Sequence, residues 1–153
     1  MNNYNDLQEI INENRMPAEI IINDGTTESS IDASNELGVN IDNIVKSICL
    51  TDKDNRNIVV ILKGSDKIDL KKVSDITGYK KVRLMTKDEI KNRIGYEAGG
   101  VPPIGYQAIF IMDKDLLNKD TVYCGGGSKN AILKINVKDI IKIDKPIIND
   151  IKK

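Results

Sequence analysis

Gly95-Tyr96-Glu97-Ala98-Gly99-Gly100-Val101-Pro102-Pro103-Ile104-Gly105 sets four glycines and two prolines between a segment with helical spacing and one with strand composition. Ordinary turns need one or two glycines for positive φ. A longer run of bare peptide groups, stiffened by proline, suits the close approach of a second body. Its N–H donors can then aim at a carbonyl or phosphate oxygen with no side chains in the way. A second stretch, Cys124-Gly125-Gly126-Gly127-Ser128, repeats the theme, so seven of the chain's eleven glycines fall in two short loops.

Toward the N-terminus, Thr86-Lys87-Asp88-Glu89 is a capping box opening a helix that carries Ile90 and reaches about Arg93. Residues 81–84 form a short strand, and Ile68, Leu70, Val73 and Ile76 mark an amphipathic helix ended by Gly78. Residues 44–51 and 58–62 are rich in β-branched side chains, and the polar connector 52–57 has the composition of a hairpin loop. Ser29-Ser30-Ile31-Asp32 caps a short helix through Ala33 and Leu37 that stops at Gly38. Leu7, Ile10 and Ile11 recur at helical spacing, and a strand is expected over 18–22.

Toward the C-terminus, strands are expected over 108–112, 121–124 and 131–135, with a turn or short helix at Leu116 and Leu117. Asn136 caps a last helix through Val137, Ile140 and Ile141, before a polar tail. Strands and short helices alternate without a βαβ rhythm or a dinucleotide fingerprint. The expectation is an α+β fold, a mixed and strongly twisted sheet with helices around it, and not a Rossmann domain.

The length of 153 residues fits one domain, residues 1–153, able to bury roughly 70% of its unfolded surface without metals or disulfides. Cys49 and Cys124 show no metal-ligand spacing, no basic-plus-apolar leader opens the chain, and no apolar run approaches a membrane span. A reduced, cytoplasmic setting is the expectation.

Net charge is zero, but residues 1–54 carry 3 Lys/Arg against 11 Asp/Glu, residues 55–95 carry 11 against 5, and residues 96–153 carry 9 against 7. Solvated helix faces would explain this, as would a basic face that meets a polyanion locally. Nonspecific DNA or RNA binding is disfavoured, since stacking platforms are few with no Trp and one Phe.

Histidine is absent. That excludes Ser-His-Asp and Cys-His catalysis and any His-ligated metal. A P-loop is absent too. Chemistry must lean on backbone donors, a cation, or groups brought by the ligand. The cation is suggested by strand parity: Lys46 shares a face with Ile44, Ile48 and Leu50, while Ser47 faces the other way. Lys46 is also the only Lys or Arg between Arg15 and Lys53. An ammonium on an apolar face needs a partner or a cavity, though snorkelling at a sheet edge is an equally open reading. Cys49 and Cys124 read as buried apolar residues rather than nucleophiles. Asp113 ends an apolar strand, either facing a pocket or starting the next turn.

With Val45-Lys46-Ser47 in a strand, Gly-Tyr-x-x-Gly-Gly-Val-Pro-Pro-Ile-Gly, and a late Gly-Gly-Gly-Ser, the chain resembles the YbaK/EbsC family. This family comprises free-standing aminoacyl-tRNA deacylases and the editing insertion of bacterial prolyl-tRNA synthetases. The likeness runs from the leading helix, through the Thr26-Thr27 segment, to Asp139. It implies a barrel-like sheet, and a trans-editing reaction that hydrolyses the ester of a mischarged aminoacyl-tRNA, most often on tRNA(Pro). It further implies that Lys46 is the essential polar side chain. Gly99, Gly100, Val101, Pro102 and Pro103 would shape the amino-acid pocket, the loop's amides lying near the substrate carbonyl and Gly100 counting with Lys46 as catalytic. Thr26, Thr27, Asp113, Gly125, Gly126, Gly127 and Ser128 would complete the substrate site. No metal, cofactor or enzyme nucleophile is implied. Aminoacyl-tRNA is the implied partner, with prolyl-tRNA synthetase a candidate second one and neither membrane nor DNA involved. A non-catalytic module that senses an amino acid or an aminoacyl-tRNA is the alternative. Relatives acting on cysteinyl-tRNA carry Ser-Pro before the Ile-Gly, where this chain has Pro102-Pro103, which leaves alanine or another small amino acid open.

Overall fold

The structure is a computed structural model that describes residues 1–23, 35 and 37–153. Thr26, Thr27 and the capping pattern at 29–32 lie outside the described residues. Eight strands are described: β1 Glu19–Ile22, β2 Val45–Thr51, β3 Ile58–Lys63, β4 Arg83–Leu84, β5 Ile109–Asp113, β6 Thr121–Gly125, β7 Ala131–Asn136 and β8 Ile147–Asn149. Four helices accompany them: α1 Tyr4–Glu13, α2 Leu70–Thr77, α3 Lys87–Glu89 and α4 Val137–Asp144.

The local chemistry explains most boundaries. Asn3 and Asp6 close a capping box on α1, and Thr86 and Glu89 close another on α3. Gly78, at φ 75°, ends α2 in the left-handed region where a side chain would be strained. After α3 the chain widens into a π-turn, Ile90–Ile94, that closes on Gly95, where a regular helix to Arg93 was expected. This wider turn lets the segment end against the first glycine of the 95–105 loop.

The strands form two sheets. One has the order β1-β7-β6 and is antiparallel throughout. The other has the order β4-β2-β3-β5-β8, antiparallel from β4 to β3 and parallel from β3 to β8. The expected β2–β3 hairpin is present, with Lys46 opposite Leu62 and Leu50 opposite Ile58. The sheets do not close into a barrel; outside the named ladders an isolated parallel bridge from Ile44 to Tyr123 links them.

β2, β3 and β5 are covered on both faces, and so they read as continuous apolar runs. Leu50, Ile58, Val60 and Leu62 pack with Val73 of α2 and with Ile111 and Ile151. Val45, Cys49, Val59 and Ile61 pack on the opposite face with Leu7, Tyr96, Ile104 and Met112. The polar tail expected after α4 is instead structured. It supplies β8 beside β5, buries Ile151 completely, and bridges Lys152 to Ile68. Its alternation of lysine, aspartate and isoleucine hides a strand in which Ile148 packs against the core while Ile147 stays exposed.

Candidate active site

β2 lies between β4 and β3, but β4 reaches only Leu50 and Thr51. Met85 extends this pairing by one main-chain bond to Cys49 (2.9 Å). At the other end of β2, Ile44 bridges across to β6. Between those two attachments the sheets part, and a cavity of about 330 Å³ opens along the free edge of β2. Its walls are Ile44, Lys46, Ser47, Ile48 and Cys49 from β2 and its approach, Leu84, Met85 and Ile90 from the segment after β4, and Ala98, Gly99 and Val101 from the first glycine loop. Tyr123, Cys124, Gly125, Ala131 and Ile132 close the far side.

This position explains why Lys46 and Ser47 both reach the cavity although parity sets them on opposite faces. The cavity lies at the strand's edge. Lys46 is half-buried, and its Nζ donates to the main-chain oxygens of Gly64 (3.1 Å) and Asp66 (2.5 Å). Burial pulls its pKa below the ordinary lysine value, partly offset by the nearby Asp66 carboxylate, while Lys67 lowers it further. The Ser47 hydroxyl is buried and has no hydrogen-bond partner among the described residues. Such a group either costs stability or awaits a ligand.

The first glycine loop turns at Glu97–Gly100, with Gly99 at φ 91° and the Gly100 N–H donating to the Glu97 carbonyl (3.1 Å). That N–H is engaged within the turn, and Gly100, expected to be catalytic, is absent from the cavity wall. The N–H groups of its neighbours Gly99 and Val101, both in the wall, have no acceptor among the described residues. Pro102 and Pro103 are buried behind the wall, and the Pro102 carbonyl accepts from the Tyr106 hydroxyl (2.6 Å).

Of the second loop, Cys124 and Gly125 reach the cavity, and Gly126, Gly127 and Ser128 are absent from its wall. The Gly126 N–H donates to Ala131 (3.0 Å), and the Gly127 N–H donates to Gly100 (2.8 Å). Ser128 accepts from the Tyr4 N–H at 3.2 Å. Asp113 is also not in the cavity wall: fully buried, it accepts from the N–H of Asp115 (3.2 Å) and of Ile151 (3.3 Å). It starts the next turn, the second of the two expectations for it. Burial pushes the Cys49 thiol up to about 12 and the Cys124 thiol higher still, which leaves both as inert apolar wall.

Sequence reading missed Ser47, Leu84, Met85, Ile90 and Tyr123. No periodicity of a single strand reveals that its edge will be left open, so no signal pointed to them. The Asp66 main-chain oxygen that fixes Lys46 was equally invisible, because its role depends on backbone geometry alone.

The cavity has apolar walls, one ammonium and unengaged main-chain N–H groups, and in a chain without histidine it holds no catalytic triad. The chain belongs to the aminoacyl-tRNA editing domain family, whose profile matches residues 25–143. It is 29% identical to YwhH of Bacillus subtilis over 110 residues, 71% of this chain and 69% of that one. It is 28% identical to the prolyl-tRNA editing protein ProX of Acetoanaerobium sticklandii over 113 residues, 69% of each chain. The crystal structure of the protein APE2540 superposes with a TM-score of 0.90 at 26% identity, covering 97% of this chain and 99% of that one. Among the described residues no helix is long and apolar enough to cross a membrane.

Proposed function

We propose that this chain is a trans-editing deacylase that hydrolyses the ester between a small, wrongly attached amino acid and its tRNA. The observation that carries the reading is the convergence on one cavity of Lys46 with the open N–H groups of Gly99 and Val101. A carbonyl seated there develops negative charge as water or a substrate group attacks. Two fixed main-chain donors stabilise that oxyanion, and each donor of this kind is worth about 3 kcal/mol. Lys46 supplies positive charge to the same region and needs no proton transfer to do so. The 330 Å³ volume and its apolar lining suit a small side chain such as alanine or cysteine. Discrimination by size gives only about 1–3 kcal/mol per methylene, so neighbouring small amino acids overlap as substrates.

A tRNA partner is supported by charge on the lip. The segment that lines the cavity with Leu84, Met85 and Ile90 also carries exposed Lys81, Lys87 and Lys91. The test is ester loss from alanyl-, cysteinyl- and seryl-tRNA(Pro). The wild-type protein releases at least one of these amino acids, and Lys46→Ala slows release by about 100-fold while tRNA binding persists. Turnover unchanged in Lys46→Ala, with binding lost, would replace this reading with that of a sensor.

A further inference from the structure

The two carbonyls that hold the Lys46 ammonium belong to a loop that the C-terminal tail clamps from behind. The Asp69 N–H donates to the Ile151 carbonyl (2.9 Å), and the Lys153 N–H donates to that of Lys67 (2.9 Å). Lys152 bridges Ile68 in the same register. The Gly64 N–H, at the other end of the loop, donates to Ile44 (2.8 Å). The place of Lys46 therefore depends on a segment beyond residue 143, where the match to the editing family ends.

Charge makes that dependence specific. Carboxylate oxygens of Asp66, Asp113 and Asp115 lie within 4.8 Å of one another. The Lys152 ammonium sits 2.9 Å from Asp115 and 3.5 Å from Asp113, with Asp150 at 3.3 Å. One Asp66 carboxylate oxygen is buried and has no hydrogen-bond partner among the described residues. The Lys46 ammonium rests on the main-chain oxygen of this same Asp66. The Asp66 carboxylate acts on the same ammonium, favouring its charged form.

We propose that Lys152 is a positioning residue for Lys46: by holding the Asp113 and Asp115 carboxylates beside Asp66, it leaves the Lys46 ammonium on two main-chain carbonyls at the cavity instead of on a carboxylate. This rests on the reading of Lys46 as the working cation. The charged groups around it are Asp66 and Lys67 on the loop, Asp113 at the end of β5, Lys114 and Asp115 in the following turn, Lys63 at the end of β3, and Asp150 and Lys152 on the tail. Lys152 is the one ammonium paired to both Asp113 and Asp115 among the described residues. Without it, an uncompensated carboxylate group competes for Lys46 and favours its charged form.

The test compares Lys152→Met, Lys152→Arg and Asp115→Asn in the full chain, with two readouts. The first needs no substrate: 13C NMR of labelled lysine side chains, with the Lys46 signal assigned by its loss in Lys46→Arg. Lys152→Met moves the Lys46 titration up by about one pH unit, Lys152→Arg leaves it near wild type, and Asp115→Asn moves it down. The second is deacylation, in which Lys152→Met lowers kcat about tenfold with KM within about twofold, and Lys152→Arg restores it. An unmoved Lys46 titration in Lys152→Met, or loss of kcat that Lys152→Arg does not restore, overturns the proposal. If Lys152→Met fails to fold, the titration in Asp115→Asn decides, and no downward movement there is equally fatal. Should the wild-type protein deacylate nothing, the functional reading falls, while the NMR comparison still decides whether Lys152 positions Lys46.

Discussion

The two glycine loops look alike in sequence and are glycine-rich for different reasons. In the 95–105 loop, Gly99 is exposed, has φ 91°, and contributes to the cavity wall beside the unengaged N–H of Val101. In the 124–128 loop, the glycines let main chain meet main chain. A Cβ on Gly125 would lie 2.3 Å from the Val101 oxygen, and one on Gly126 would lie 2.5 Å from the Ala131 carbonyl carbon. One on Gly127 would lie 3.0 Å from the backbone of Tyr4. Gly100 belongs with this second group, since its own Cβ would press on the Ser128 backbone at 2.8 Å. The lesson is that a bare peptide marks close approach without saying whether ligand or protein does the approaching. Here the second loop presses the first into place, and the first faces the cavity.

The sharpest way to break that contrast is Gly126→Ala. Backbone on the neighbouring strand cannot yield as a side-chain tip can, so the expected loss is more than about 3 kcal/mol of stability. Urea unfolding checks it: a midpoint within error of wild type would show that the second loop has room to spare and that the packing account is wrong.

A gentler probe is the floor beneath both loops. Asp144, at the end of α4, is pushed up to about 8 by burial, and one of its oxygens has no hydrogen-bond partner among the described residues. It sits close enough to Cys124, at the head of the second loop, and to Tyr106, which holds Pro102 of the first, to raise both their pKa values beyond the effect of burial. Because the folded pKa lies above the ordinary aspartate value of 3.8, the unfolded chain gives up this proton first. The stabilising effect of the buried neutral acid is complete below about pH 4. It declines as pH rises through about 8, with a slope on the order of 1.4 kcal/mol per unit. Asp144→Asn flattens that decline. The salt-bridged Glu89 and Asp150, both pulled down to about 2, act in the opposite direction and only in strong acid, so the windows separate in a pH series of unfolding midpoints. A wild-type curve that is level between pH 5 and 8 would contradict the assignment.

Much of this architecture was legible because local chemistry agreed with tertiary need. The Thr86–Glu89 capping box, the Gly78 stop and the β2–β3 hairpin were all readable in sequence, each fixed by residues within a few positions of one another. Lys46 was legible as a charge on an apolar strand. What escaped depends on contacts distant along the chain. The open edge of β2 exists because β4 stops after two residues and β6 belongs to another sheet. The tail strand was hidden because β8 draws its partner from β5, and Lys152 beyond it draws its ion pairs from Asp113 and Asp115. The engagement of Gly100 escaped for a related reason: a donor's availability is set by the turn it sits in, and the 4-residue turn from Glu97 takes that N–H for itself.

The smallest expected effect completes the comparison. Gly99→Ala places a side chain at φ 91°, which costs about 1–2 kcal/mol, and it does so at an exposed position in the cavity wall. The fold therefore survives where that of Gly126→Ala fails. Measured side by side, the two variants separate the causes of glycine: one loses stability far more than the other, and the milder one carries its penalty into the cavity. If both lose the same stability, the distinction between a ligand-facing glycine and a packing glycine disappears. A deacylation rate for Gly99→Ala that falls several-fold in a protein still folded would place Gly99 in the working wall of the cavity. An undiminished rate would leave the Val101 N–H as the donor that matters.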